Sequence, residues 1–233
     1  MATDSPTPEQ ERARQIFVIL RGALSLRDED FASVLVAKET GDPFRVLVVT
    51  ILSQSCTDIA AIRAYRNLDE QVGVTVSQLA KAKVSEIEKA VRVAGLHRQK
   101  ARALKRIAQL IAKRYSGDLR PVVEGPLEEA RLRLQELPKV GPKTADVLLG
   151  VWGRPTISVD THVNRVSKRL GLAHQKAKYE EVRATLMQIY DPADYRSVPL
   201  LFMAHGRKTC GAPKPRCSSC PVEKLCPFTK KLF

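Results

Sequence analysis

The sequence predicts an all-α protein, and three observations carry that reading. Helix-start signals, in which Ser, Thr or Asp is followed by Pro or by an acid or amide three residues on, recur ahead of apolar residues spaced three and four apart. No segment sustains the alternating apolar and polar pattern of a half-buried strand. Glycines such as Gly95 and Gly171 follow the periodic runs, where a left-handed residue ends a helix.

Thr7-Pro8-Glu9-Gln10 combines a capping hydroxyl, a first-turn proline and an amide three residues on, so a helix with Ala13, Ile16, Phe17, Leu20 and Leu24 inward begins there. Asp42-Pro43 opens a helix whose apolar face is Phe44, Leu47, Val48, Ile51 and Leu52. Asp58 is placed to cap the next, with Ile62, Tyr65 and Leu68 turned inward. Ser85 and Glu88 repeat the capping-box pattern, Gly95 closes that helix, and a long basic helix runs from about His97 to Tyr115. Its apolar face is Leu104, Ile107, Ala108 and Ile111. Arg98, Lys100, Arg102, Lys105, Arg106, Lys113 and Arg114 surround that face as a solvated or phosphate-binding shell. Residues 117–126 read as a loop, residues 127–137 as a short helix stopped by Pro138, and the first six or so residues as disordered.

With 233 residues, 44% of them apolar, the chain can form one large domain or two small ones sharing a core. Its 39 Lys and Arg against 25 Asp and Glu give a formal charge of +14, which favours a polyanionic partner such as nucleic acid. No run approaches the roughly 18 to 20 apolar residues that span a bilayer, and residues 1–10 lack the apolar stretch of a signal peptide. A cytoplasmic, nucleoid-associated monomer with no membrane partner is the expectation.

Leu137-Pro138-Lys139-Val140-Gly141-Pro142-Lys143-Thr144-Ala145 lies between two apolar helical segments. Gly141 is read as the residue that permits a tight turn, and Pro142 suits the first helical position, where no amide hydrogen is required. The amides around Val140 and Gly141 would then face outward at a helix N-terminus, an arrangement that suits either a phosphate oxygen or an ordinary helix corner. Seventeen residues after Lys143 comes Asp160, in Ser158-Val159-Asp160-Thr161-His162-Val163, placed as the N-cap of a helix with Val166 and Leu170 inward. Such an Asp usually serves its backbone alone. Beside a neutral lysine amine, however, it could help attack and stabilise an electron-poor carbon.

Of the five cysteines, four fall in Cys210-x6-Cys217-x2-Cys220-x5-Cys226, which reads as metal ligation rather than disulfides; buried and inert is the reading for the fifth, Cys56. Four thiolates suit zinc or a 4Fe-4S cluster, and ligand identity does not separate the two. Zinc ribbons bring two close pairs, whereas these spacings are unequal and all four ligands come from one loop of 17 residues, which leans toward iron-sulfur. Lys208, Lys214 and Arg216 in and beside the loop make it a basic surface suited to phosphate.

The hairpin, the Val-Asp-Thr-His segment, His205-Gly206-Arg207 and the cysteine spacing, in this order along residues 42–226, together resemble the endonuclease III family of DNA glycosylases. The resemblance implies a two-domain helix-hairpin-helix glycosylase fold with DNA bound in the cleft between domains. Residues 1–38 would pack on the cluster domain, residues 39–155 would form a six-helix barrel domain with the hairpin at about 127–152, and residues 156–233 a C-terminal domain with the cluster loop at 210–226. It implies that Lys143 is the catalytic amine, Asp160 the catalytic carboxylate, and Cys210, Cys217, Cys220 and Cys226 the 4Fe-4S ligands. The partner would be double-stranded DNA carrying oxidised pyrimidines or abasic sites, with the base flipped out before reaction. Leu96, followed by His97, matches the apolar residue inserted into the gap left by the flipped nucleotide. Many members carry a glutamine as a second wedge where this chain reads Ser55, with Gln54 one position earlier, so either residue is open to that role. A mismatch glycosylase removing thymine or uracil typically lacks the hairpin lysine, and a non-catalytic DNA-binding module needs neither Lys143 nor Asp160.

Overall fold

The computed structural model describes residues 5–228, which include thirteen α-helices and no strand. They are α1 (Pro8–Ala23), α2 (Ala32–Thr40), α3 (Pro43–Ser53), α4 (Asp58–Gln71), α5 (Val76–Lys81), α6 (Val84–Ala90), α7 (His97–Tyr115), α8 (Arg120–Glu124), α9 (Leu127–Gln135), α10 (Pro142–Val151), α11 (Thr161–Arg169), α12 (Tyr179–Ile189) and α13 (Ser197–Lys208). Of the segment expected to be disordered, residues 1–4 lie outside the described residues.

The chain divides into two compact units, a contiguous one, Arg27–Arg154, and a discontinuous one, Met1–Leu26 with Pro155–Phe233. The expected boundary after residue 38 is therefore corrected to Leu26/Arg27. The reason is α2, a helix with no sequence start signal: its N-cap is Phe31, which has no side-chain cap, yet Ala32 and Val36 bury in one core with Phe44, Leu47 and Leu52. Asp58 supplies the missing cap from 26 residues away, its Oδ1 accepting from the Ala32 amide at 3.0 Å. Thr57, not Asp58, therefore caps α4, its hydroxyl accepting from Ala60 N at 3.2 Å. In α6 the capping box is also displaced: Lys83 is the N-cap and Glu86 accepts from its amide at 2.9 Å, while Glu88 pairs with Arg98 at 3.3 Å. The stretch expected as a loop after Gly117 contains the short α8.

In the contiguous unit α7 buries one face, with Leu104, Ile107, Ala108 and Ile111 fully inaccessible. Lys100 joins that face at 3% exposure, which overturns its assignment to the solvated shell. Helices α9 and α10 are locked by a buried fork: Arg131 Nε and Nη2 donate to Asp146 Oδ1 and Oδ2 at 2.8 and 2.9 Å, with Asp146 wholly inaccessible. Removing one partner of such a pair strands the other charge. Arg131→Met should lower unfolding free energy by about 3–5 kcal/mol in a denaturant titration, and Arg131→Met with Asp146→Leu should recover part of that loss.

In the discontinuous unit, α1 begins at the expected capping box of Thr7 and Gln10. Its buried face, Ala13, Ile16, Phe17 and Leu20, packs in one core with Val163, Val166, Leu186, Val198 and Phe202. Arg12 fastens the helix to distant backbone, donating to Leu170 O at 2.8 Å, Leu225 O at 3.2 Å and Gly171 O at 3.2 Å.

Candidate active site and metal centre

The turn between α9 and α10 closes through Leu137 N–H to Leu134 O (3.0 Å) and Val140 N–H to Leu137 O (3.1 Å). The Val140 amide is thus spent inside the turn and is not free for a phosphate. Gly141 is extended, φ −95°, and an added Cβ there would meet nothing within 4 Å. The left-handed residue of the turn is instead Lys139, φ 65°, a conformation that costs a side-chain-bearing residue about 1–2 kcal/mol. Gly141 is the N-cap of α10 without a side-chain cap, Pro142 follows, and Lys143 stands exposed on the first turn. Val140 and Thr144 are buried at 6% and 7% exposure, so neither side chain is open to a DNA strand.

Gln54 explains why Thr144 is inward. Its Nε2 donates to Lys139 O at 2.9 Å and to Thr144 Oγ1 at 3.3 Å, tying the α3–α4 loop to the hairpin. Of the two wedge readings, the structure engages Gln54 with protein and leaves Ser55 exposed, in the left-handed region at φ 58°. Leu96 is a second protruding residue, 52% exposed at φ 47° directly before α7, while His97 lies 3.5 Å from Glu88.

Asp160 is the N-cap of α11, its Oδ1 accepting from Val163 N at 2.7 Å, and it is 8% exposed. Burial holds the neighbouring His162 below the usual imidazole range, against the opposing pull of Asp160. Gly206 lets α13 approach this helix start: a Cβ there would lie 2.9 Å from His162 Cβ. Arg165 bridges the same elements, donating to Gly206 O at 2.9 Å and Cys210 O at 3.1 Å. Lys143 belongs to the contiguous unit and Asp160 to the discontinuous one.

All four of Cys210, Cys217, Cys220 and Cys226 line one cavity, together with His205, Arg169 and Phe228. Among the described residues no group of three His, Cys, Asp or Glu is placed to hold a single metal ion. Burial pushes Cys220 up to about 11, an effect that the Val222 amide opposes and that Cys226, Cys210 and Cys217 reinforce. That mutual repulsion is what a cationic group among the four thiolates would relieve, so the donor set fits such a group. Arg169 holds the loop, donating to Gly211 O at 2.7 Å and Ala212 O at 2.8 Å, with Nη1 3.5 Å from Cys210 Sγ and its guanidinium 4.6 Å over the Phe228 ring. His205 Nε2 lies 3.7 Å from Cys220 Sγ, and burial lowers that imidazole to about 4. Lys208, Lys214 and Arg216 are exposed. Cys56 is half-buried in the contiguous unit, its thiol donating to Leu52 O at 3.0 Å and raised by burial.

Sequence reasoning missed Lys139, Gln99, Lys100, Arg165 and Arg169. For Lys100 the signal was present, since positions 100, 104, 107 and 111 share one helical face.

Residues 48–192 match the model of the HhH-GPD superfamily base excision DNA repair protein. An endonuclease III of Sulfolobus acidocaldarius is 34% identical over 218 residues, which cover 93% of this chain and 96% of that protein. Among solved structures, a trapped endonuclease III–DNA covalent intermediate in an estranged-adenine complex superposes with a TM-score of 0.78 at 31% identity, over 95% of this chain and 97% of that one. A thermostable thymine-DNA glycosylase reaches a TM-score of 0.77 over 96% and 97% of the chains, but at 22% identity it shows the shared fold alone. The hairpin, the four-cysteine loop and relatives aligned over nearly the whole chain agree: the protein belongs to the endonuclease III family, helix-hairpin-helix proteins of base excision DNA repair.

Proposed function

We propose that Lys143 and Asp160 perform the chemistry of this DNA glycosylase and lyase on oxidised pyrimidines and abasic sites in double-stranded DNA. The observation that carries the proposal is Lys143 itself, an exposed amine on the first turn of the hairpin helix, where holding DNA requires only backbone. A base in the stack must first be extruded for its sugar carbon to be reached. The amine of Lys143, on giving up a proton, attacks C1′, and the glycosidic C1′–N bond breaks with its electron pair leaving on the base, which takes up a proton. The sugar ring opens to a Schiff base, and loss of a C2′ proton expels the 3′ phosphate by β-elimination. Asp160, with Oδ1 engaged in the helix cap, stabilises positive charge on the sugar through its carboxylate and assists these proton transfers. Leu96 fills the gap left by the extruded nucleotide. Ser55, rather than Gln54, is the residue of its loop open to the opposite strand, and Lys208, Lys214 and Arg216 contact phosphates.

Cys210, Cys217, Cys220 and Cys226 hold a 4Fe-4S cluster. The cluster supplies structural order to the basic loop. The purified protein is expected to be brown, with iron and acid-labile sulfide in the ratio of one cluster per chain; stoichiometric zinc without iron overturns this. The protein works as a monomer on nucleoid DNA in the cytoplasm. A panel of duplexes bearing thymine glycol, dihydrouracil, uracil, mismatched thymine and an abasic site tests the reading. Cutting of the first two and of the abasic duplex is expected, together with a borohydride-trapped adduct. Release of mismatched thymine or uracil without strand cutting would assign the protein to the mismatch class instead.

A further inference from the structure

Three short segments of the contiguous unit meet through side-chain hydrogen bonds: the α3–α4 loop, the Gly95–Leu96 turn and the hairpin. Gln54 donates to Lys139 O, and Lys139 Nζ donates to Gln99 Oε1 at 2.9 Å on the first turn of α7. Beneath them lies Lys100. Its Nζ donates at 2.8 Å to Leu52 O, where α3 ends, and at 2.8 Å to Ala94 O, the residue before Gly95-Leu96. Both carbonyls stand where the chain leaves a helical turn, the end at which carbonyls lack partners and a cation is favoured. A lysine at 3% exposure pays heavily in lost hydration, and burial lowers its affinity for the proton. An apolar side chain would fill this place on α7 at no such cost, so what the ammonium adds is its hold on the two carbonyls.

Backbone conformation locates what is being held. Among the described residues, four non-glycine residues have positive φ: Ser55, Leu96, Ser116 and Lys139. Ser55, Leu96 and Lys139 fall on the three segments joined by Gln54, Gln99 and Lys100, and such outliers persist only where surrounding bonds over-determine them.

We infer that Lys100 is a positioning residue that clamps the α3–α4 loop and the Leu96 turn into one preset edge, so that Leu96 enters the duplex without first being ordered. The inference rests on the reading of Leu96 as the wedge, and a fixed edge spares DNA binding the entropy of ordering it.

The test uses the cluster-loaded protein. Extrusion is read by 2-aminopurine fluorescence beside an abasic-site analogue in a duplex, and chemistry by borohydride trapping on a single-stranded abasic oligonucleotide, which needs no extrusion. Lys100→Met is expected to lower the extrusion equilibrium about tenfold or more and to change the trapping rate less than about twofold. Equal losses in both readouts, or no loss in either, overturn the inference. Leu96→Ala separates it from the underlying reading: loss of extrusion with Lys100→Met but not with Leu96→Ala means the wedge reading has failed while the clamp stands. Should Lys100→Met not fold, Lys100→Arg is followed by amide hydrogen exchange. Faster exchange confined to residues 52–57 and 94–97 supports the clamp, and a uniform change or none overturns it.

Discussion

Replacing Lys143 with glutamine is expected to abolish the borohydride-trapped adduct and to slow strand cutting by about 10⁴-fold or more, the scale on which loss of a nucleophile is felt. Glutamine preserves a polar side chain of similar reach but offers no amine. Lys143 is exposed and sits where α10 needs no side-chain cap, so stability should stay within about 0.5 kcal/mol of the parent. Duplex affinity, measured by fluorescence anisotropy, should fall by less than about tenfold, the effect of one charge lost among many phosphate contacts. Persistence of the adduct would transfer the nucleophile's role to another amine, with the exposed Lys139 four residues away as the first rival. A drop in affinity as large as the drop in cutting would make Lys143 a phosphate contact.

Asp160→Asn separates two duties of one residue. Asparagine caps a helix about as well as aspartate, so the hydrogen bond from Val163 N survives and the stability cost should be under about 1 kcal/mol. Only the negative charge and the basicity are lost. If the carboxylate steadies the cationic sugar and moves protons, base removal should slow by about 10²–10⁴-fold in single-turnover assays. Rates that fall only in step with stability would return Asp160 to the cap alone.

What could be read from the sequence follows the range of the interactions. Helices α1, α3 and α11 begin where Thr7, Asp42 and Asp160 place them because each cap acts within three residues. The cysteine loop was legible for the same reason, its donors falling inside one short segment. Helix α2 was invisible because its capping carboxylate, Asp58, lies on a later helix, and the choice between Gln54 and Ser55 stayed open because the partner that engages Gln54, Lys139 O, is 85 residues away. Gly141 was read as the residue that permits the tight turn, whereas the left-handed position of the hairpin is Lys139. No local rule selects a lysine there. The burial of Lys100 was written in the spacing of α7, but its charge masked the pattern.

The bond from Arg12 to Leu225 bears on how this molecule is made. The contiguous unit, Arg27–Arg154, has every residue of its own core in hand as soon as it leaves the ribosome. Helix α1 is made well before the residues it docks on, because its partners include residues at sequence separations of 158 and 213. At about 5–20 residues per second it waits on the order of 10–40 s with Ile16, Phe17 and Leu20 uncovered. During that interval α1 is open to aggregation and proteolysis, and the cysteine loop, translated at its close, supplies Leu225, one of the residues to which Arg12 of α1 bonds.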